Sequence, residues 1–128
     1  MNGWSAVCIF LGAGFGALLR WVLGLTLDPI FPPVPLGTLA ANVIGGLLMG
    51  LALGLFTEYE NLSPFLRLAV TTGFLGGLTT FSTFSGEVVN RLLRHEYALV
   101  CVIIVVHVGG ALFATLTGIS ITRWLFKP

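Results

Sequence analysis

The chain has 128 residues, of which 56% are hydrophobic and 9% charged, with a formal net charge of +1 and a mean hydropathy of +1.02. A soluble domain carries about 25% charged residues, because it must cover its surface with them. These values exclude an ordinary water-soluble protein, and we expect membrane lipid around the chain and no nucleic-acid partner.

Four long apolar stretches follow one another, and the helices predicted in them cover residues 4–27, 36–56, 65–94 and 97–125. Each reaches the roughly 20 residues that an α-helix needs to cross a hydrocarbon core. Four such helices use about 80–100 residues, so only short connections remain. The sequence therefore predicts a single all-α integral membrane domain over residues 1–128, with four transmembrane helices. A soluble catalytic domain is excluded, and we do not expect an enzyme.

The first helix ends before a proline-rich loop, and the second carries one strongly polar residue, Asn42, in the stretch GTLAANVIGG. Its side-chain amide offers two donors to an anion. An ordinary hydrogen bond between helices is the alternative interpretation. The fourth helix adds His107 and Thr115, and a histidine in such a place is more often a hydrogen-bonded packing residue than an ion ligand.

The third helix is interrupted by the polar stretch GGLTTFSTFSGE, which begins at Gly76. A glycine pair followed by β-branched threonines is a poor continuous helix, so we expect a break near residues 75–80. Backbone groups freed there must be buried in protein or line a polar cavity. Carbonyl oxygens that converge from two copies of the chain would suit a hard cation, and broken helices mark ion sites in membrane proteins generally.

The residues after the break fall on two faces of the resumed helix. Phe81 and Phe84 are three apart and share a face. Hydroxyl residues, among them Ser82 and Thr83, form a ladder beside the two rings. An aromatic ring has a positive edge that can meet an anion. Plain core packing of the rings, and hydrogen bonds from the hydroxyls to carbonyls of their own helix, are the alternatives.

The basic residues divide evenly between the two sides of the membrane. An excess of Lys and Arg in cytoplasmic loops normally sets the orientation of a membrane protein. Since this excess is absent, the sequence predicts insertion both ways round and, if opposite copies pair, an antiparallel dimer with a two-fold axis in the membrane plane. A single residue such as Arg20 that fixes one orientation is the alternative. The two sets are Arg67, Arg123 and Lys127 on one side and Arg20, Arg91 and Arg94 on the other.

Three motifs, GALLRW on the first helix, GTLAANVIGG on the second and TGFLGGLTTFSTFSGE on the third, resemble the Fluc (CrcB-like) fluoride channel family. The resemblance covers the whole chain in length, helix count and motif order. It implies a passive, fluoride-selective channel, multi-pass in the cell inner membrane, that exports fluoride and protects against its toxicity. It also implies an antiparallel, dual-topology homodimer with two separate pores.

The resemblance implies pore roles by position. Phe81 and Phe84 match phenylalanines whose ring edges line the pore, and Asn42 matches the pore asparagine. Ser82, Thr83 and Thr115 match positions that form a polar track opposite the rings in that family.

The resemblance further implies a structural ion and vestibule residues. Gly76 and Thr79 match the positions whose backbone carbonyls, from both subunits, hold a central sodium ion. Arg20 matches a vestibule arginine and Glu87 a pore-side acid, and His107 is assigned to the same vestibule or pore-side group.

A small dual-topology, proton-coupled multidrug antiporter is the alternative function. That chemistry needs a carboxylate embedded in the membrane to exchange protons for a cationic drug. Glu87 is the one acid within an apolar segment, and it lies toward the end of its helix. A membrane assembly subunit without transport activity would leave the hydroxyl ladder unexplained.

Overall fold

The structure, a computed structural model, describes residues 2–127, and the regular elements of this part of the chain are all helical. Three long helices are α1 (Gly3–Leu27), α2 (Leu36–Glu58) and α6 (Tyr97–Leu125), and a 3₁₀ turn (Asp28–Ile30) follows α1. The third apolar segment is divided into α3 (Pro64–Leu68), a π-helix (Ala69–Leu75), α4 (Gly76–Leu78) and α5 (Phe81–Leu93).

Three stretches of the described chain are long and apolar enough to cross a membrane: Gly3–Ile30, Leu36–Glu58 and Tyr97–Leu125. The chain is therefore a membrane protein. The third predicted helix, 65–94, is helical from Pro64 to Leu93 apart from an interruption at Thr79 and Thr80, so its separate pieces are too short to qualify. A fourth crossing stays a prediction.

The interruption has a local cause that the backbone angles record. Thr79 (φ −81°, ψ 153°) and Thr80 (φ −149°, ψ 123°) are both extended. The amide and the hydroxyl of Thr79 both donate to Leu75 O, at 2.9 and 2.8 Å, and Thr79 is the C-cap of α4. The hydroxyl of Thr80 accepts from the amide of Thr83 at 3.2 Å, so Thr80 is the N-cap that starts α5.

Glycines bring several helices into close backbone contact, among them α2 with α6, α1 with α2, and α1 with the π-helix and α4. A Cβ atom added at Gly118 of α6 would lie 2.7 Å from the amide nitrogen of Leu51 on α2. One added at Gly16 of α1 would lie 2.7 Å from the amide nitrogen of Leu78. Small residues supply such packing in lipid, where the hydrophobic effect between helices is weak.

The outer faces of α1 and α6 carry exposed large apolar side chains. Phe10 is 78% exposed and Phe113 is 74% exposed. In a membrane protein, faces of this kind contact lipid or another protein chain. The helix α5 packs on α6 through the buried Phe84 and Ile103. The start of α5 lies beside the middle of α2 and α6, since Phe81 and Phe84 line one groove with Gly45 and Ala111.

Candidate functional site

A groove of about 400 Å³ lies where the break meets α2 and α6. Its lining includes Asn42, Thr79, Phe81, Phe84, His107 and Thr115, together with Thr80 and apolar residues of α2 and α6. It is open on its outer side, where Phe81 is 76% exposed. The fold thus brings most of the predicted pore residues, from three different helical segments, to one surface.

Asn42 joins α2 to the break through two hydrogen bonds to one residue. Its Oδ1 accepts from the amide of Thr80 at 2.8 Å, and its Nδ2 donates to the carbonyl of Thr80 at 3.1 Å. The side-chain amide therefore replaces the helix partners that Thr80 lacks, as backbone groups in a membrane require. In this arrangement one of its two donor hydrogens already has a protein acceptor.

His107 lies on α6 and contacts both Asn42 and Phe84. Its side chain is 3% exposed, and its ring stacks on that of Phe84 with centroids 4.8 Å apart. Nδ1 of His107 is 3.3 Å from Nδ2 of Asn42. Nε2 is buried and has no hydrogen-bond partner among residues 2–127. His107 is thus part of the groove, with one satisfied and one unsatisfied nitrogen.

The two phenylalanines share one side of α5, but their surroundings differ. Their ring centroids are 5.6 Å apart at an interplanar angle of 60°. Phe84 is 8% exposed and Phe81 is 76% exposed. Phe84 is therefore held by protein on its inner side, whereas Phe81 forms the open rim of the groove.

The hydroxyl groups near the break form a cluster around Thr80, a residue absent from the predicted site. The hydroxyl of Thr80 donates to that of Thr83 at 3.1 Å and lies 3.3 Å from that of Ser82. A threonine just before a helix start is a typical N-cap, and this signal could have identified Thr80 from the sequence. The hydroxyl of Thr115 instead donates to Ala111 O of its own helix at 2.9 Å, which is the alternative considered for such hydroxyls.

Arg20 and Glu87 lie outside the lining of the groove. Nε of Arg20 donates to the carbonyl of Gly77 at 3.1 Å, so this charge meets the C-terminal end of α4. Oε1 of Glu87 accepts from the hydroxyl of Thr38 at 2.9 Å, and Oε2 is buried without a partner in the described part of the chain.

The break changes the hydrogen bonding of one backbone carbonyl. The amide of Thr80 would bond to Gly76 O in a continuous helix, but it donates to Asn42, which releases that carbonyl. Residues 2–127 contain no group of three or more His, Cys, Asp or Glu side chains that could hold a metal ion. A cation here would therefore be coordinated by carbonyl and hydroxyl oxygens, the ligands that hard cations take.

Comparison with known proteins matches this chain over nearly its whole length. The family described as CrcB-like protein, Camphor Resistance (CrcB), matches residues 7–119. The chain is 52% identical over 125 residues to a Nitrosospira multiformis protein named fluoride-specific ion channel FluC, which covers 98% of each chain. Proteins of that name from Chromobacterium violaceum (51% over 121 residues) and Nitrosomonas europaea (52% over 122) are similar over 94% of this chain and 96% of their own length.

Proposed function

The chain belongs to the CrcB-like family, a family of ion channels and not of enzymes, and we propose that it is a passive, fluoride-selective channel. It would export fluoride across the cell inner membrane, which it would cross four times, and so protect the cell against fluoride toxicity. The observation that carries this proposal is the groove at the break, which collects polar side chains and two phenylalanine rings in an otherwise apolar wall.

The chemistry of the groove suits a small, strongly hydrated anion. Such an anion gives up water only where other groups replace it. The hydroxyl cluster around Thr80 and the rings of Phe81 and Phe84, whose edges carry partial positive charge, lie at this surface, and Asn42 orients the neighbouring Thr80 and His107. The lining contains no Lys or Arg among the described residues. A fixed positive charge would hold the anion tightly, whereas conduction requires binding weak enough for exit. A negative interior potential would then drive the anion outward.

We propose that the channel is an antiparallel homodimer with two pores. One chain leaves the groove open along the rim at Phe81, so a second copy would be needed to close it. The even division of basic residues, three against three, supports insertion in both orientations.

We propose that a central sodium ion is held by the carbonyls of Gly76 and Thr79 from both copies. Two observations support this assignment. The carbonyl of Gly76 has lost its helical partner, the amide of Thr80, and the ligand atoms that the described residues offer at the break are carbonyl and hydroxyl oxygens. Exhaustive removal of sodium should weaken the dimer and reduce fluoride flux. Unchanged flux, with the ion shown to have left, would remove sodium from the account.

Ion selectivity in proteoliposomes separates the channel from the alternative antiporter. Vesicles that contain the protein are loaded with potassium fluoride, potassium chloride or a fluorescent organic cation, and release is followed after a potassium ionophore is added. We expect fluoride to leave while chloride and the organic cation are retained. Release of the organic cation in exchange for protons, without fluoride release, would favour the antiporter. Glu87, the acid that this alternative needs, already accepts from Thr38 and lies outside the groove.

A further inference from the structure

The orientation of the Asn42 side-chain amide is determined by Thr80. Oδ1 faces the Thr80 amide, a donor, and Nδ2 faces the Thr80 carbonyl, an acceptor. If the amide were turned over, a donor would face a donor and an acceptor would face an acceptor, and both bonds would be lost. The hydrogen-bond network therefore assigns oxygen and nitrogen without ambiguity.

This orientation in turn determines the protonation of the neighbouring imidazole. The second hydrogen of Asn42 Nδ2 points to His107 Nδ1, 3.3 Å away. Nδ1 must accept that hydrogen, because a proton on Nδ1 would place two donors against each other. A neutral histidine with an acceptor at Nδ1 carries its proton on Nε2.

We propose that Asn42 is a positioning residue that holds His107 in the Nε2–H tautomer and so provides the groove with a buried N–H donor for an anion. Nε2 has no partner among residues 2–127, so in the described chain this donor is free. The stacked ring of Phe84 keeps the imidazole in place, with centroids 4.8 Å apart. One chain of hydrogen bonds thus runs from the backbone of Thr80 through the side-chain amide of Asn42 to the imidazole of His107. It ends at the N–H group of Nε2.

The anion part of this inference rests on the proposed function, whereas the tautomer part does not. His107 and Phe84 both line the groove, and Nε2 of His107 is buried. An anion that has passed the exposed Phe81 and reached Phe84 would find there a neutral N–H group. A neutral donor satisfies the anion without the strong attraction of a fixed charge.

The tautomer is measured by nitrogen NMR on protein labelled with ¹⁵N-histidine and ¹⁵N-asparagine in lipid bilayers, at about pH 8, where an ordinary imidazole is neutral. The variant His95→Gln, at an exposed turn residue, assigns the signals of the two histidines. In the wild-type protein we expect an unprotonated Nδ1 of His107 in contact with the Asn42 side-chain nitrogen, and a protonated Nε2. A proton on Nδ1 in the wild-type protein would overturn the inference.

Substitution at Asn42 tests whether this residue sets the tautomer. In Asn42→Asp the carboxylate can accept from Thr80 but cannot donate to His107, so we expect the proton to appear on Nδ1. An unprotonated Nδ1 in the folded variant would show that something else sets the tautomer. If this variant does not fold, the wild-type measurement decides alone. An unprotonated Nδ1 in contact with the Asn42 side-chain nitrogen supports the inference, and the lack of that contact overturns it.

Fluoride addition and two variants of His107 test the anion contact. We expect the Nε2–H signal to shift with fluoride and to stay constant with chloride. His107→Gln keeps a donor near the position of Nε2 and should keep flux within about threefold of wild type, whereas His107→Phe keeps the stacking but loses the donor and should lose flux by at least about tenfold. An unmoved signal, or equal flux in the two variants, would overturn the donor role. If the wild-type protein conducts no fluoride at all, the proposed function fails while the tautomer result stands independently.

Discussion

At the scale of single residues, Phe81 and Phe84 differ in what they contact, and this separates their effects on function and stability. Phe84 packs on His107 and is nearly buried, whereas Phe81 is 76% exposed at the rim of the groove. A ring edge that faces an anion does electrostatic work that an aliphatic side chain of similar bulk cannot do. The function of the ring can therefore be tested apart from its volume.

We expect Phe81→Ile and Phe84→Ile each to reduce fluoride flux by at least about tenfold, because an anion without a partner in an apolar wall is costly. Phe81→Ile should leave thermal stability unchanged. Phe84→Ile should lower it by about 0.5–1.5 kcal/mol through the lost stacking. Flux from proteoliposomes and thermal unfolding in detergent are the measurements. Wild-type flux in both variants would mean that the rings serve only for packing.

His95 ends the third helical segment with a left-handed backbone, at φ 61°. The amide of Glu96 bonds to Arg91 O at 3.1 Å around this residue, as in a helix C-terminus that usually has glycine at this point. We expect His95→Gly to stabilise the protein by about 0.5–1 kcal/mol, because glycine adopts this conformation without a steric cost. His95→Val is the matched comparison and should destabilise it. Thermal unfolding that shows no difference between the two would contradict this reason.

Only part of the site could be predicted from local sequence. The sequence indicated Asn42, Phe81 and Phe84 as candidate pore residues, because their side-chain chemistry is unusual for a membrane helix or their spacing places them on one face. The two hydrogen bonds between Asn42 and Thr80 join residues 38 apart in the chain, and they depend on how α2 packs against the break. No local pattern carries that information, so the sequence could identify Thr80 as an N-cap but not as the hydrogen-bond partner of Asn42.

At the scale of elements, the break between α4 and α5 leaves backbone amide and carbonyl groups that need hydrogen-bond partners from other helices. Asn42 satisfies Thr80 on one side, and Arg20 reaches the carbonyl of Gly77 from α1 on the other. A cation at a helix C-terminus is favourable, since the free carbonyls there carry partial negative charge. Arg20, which is counted among the basic residues of one side, thus also caps the end of α4.

We expect Arg20→Met to lower stability by about 1.5–3 kcal/mol, the usual contribution of a hydrogen bond to a charged group, while Arg20→Lys loses less. The measurement is thermal unfolding in detergent. The exposed Arg94 provides a control, and Arg94→Met should change stability by less than about 0.5 kcal/mol. Equal stability of Arg20→Met and Arg94→Met would show that the bond to Gly77 does not hold the break.

The position of the break was readable from the sequence, but its form was not. Glycines followed by β-branched threonines weaken a helix locally, so the expected region, 75–80, includes Thr79 and Thr80. The π-helix over Ala69–Leu75 was not predicted, because a widened helical turn has no compositional signature comparable to that of a glycine pair. Such turns are frequent at functional sites.

At the scale of the whole molecule, the equal number of basic residues on the two sides of the membrane is the sequence feature that predicts how two chains pair. The loop between α2 and α3 offers two exposed positions for added charge, Asn61 and Ser63, and Ser63 makes no side-chain capping bond to α3. Two arginines there would change the count from three against three to five against three. Arg123→Gln with Lys127→Gln would change it to one against three, and so bias the chain the other way.

If opposite orientations must pair, each biased variant alone should lose most of its fluoride flux, and the two expressed together should recover it. Flux is measured in vesicles from cells that express one or both variants, and the orientation is checked by labelling a single introduced cysteine from either side. Full flux from each biased variant alone would contradict the antiparallel dimer. Expression of each variant in the membrane has to be matched to that of the wild type.

The central claim, passive conduction of fluoride, is tested most directly by the electrical dependence of fluoride release. Purified protein is reconstituted into vesicles that contain potassium fluoride, with no potassium outside and the same pH on both sides, and external fluoride is followed with an electrode. A passive channel predicts almost no release until a potassium ionophore lets the charge be balanced, and then rapid release that protein-free vesicles do not show. Release at the same rate without the ionophore, or no release above that of protein-free vesicles after it is added, would contradict the account.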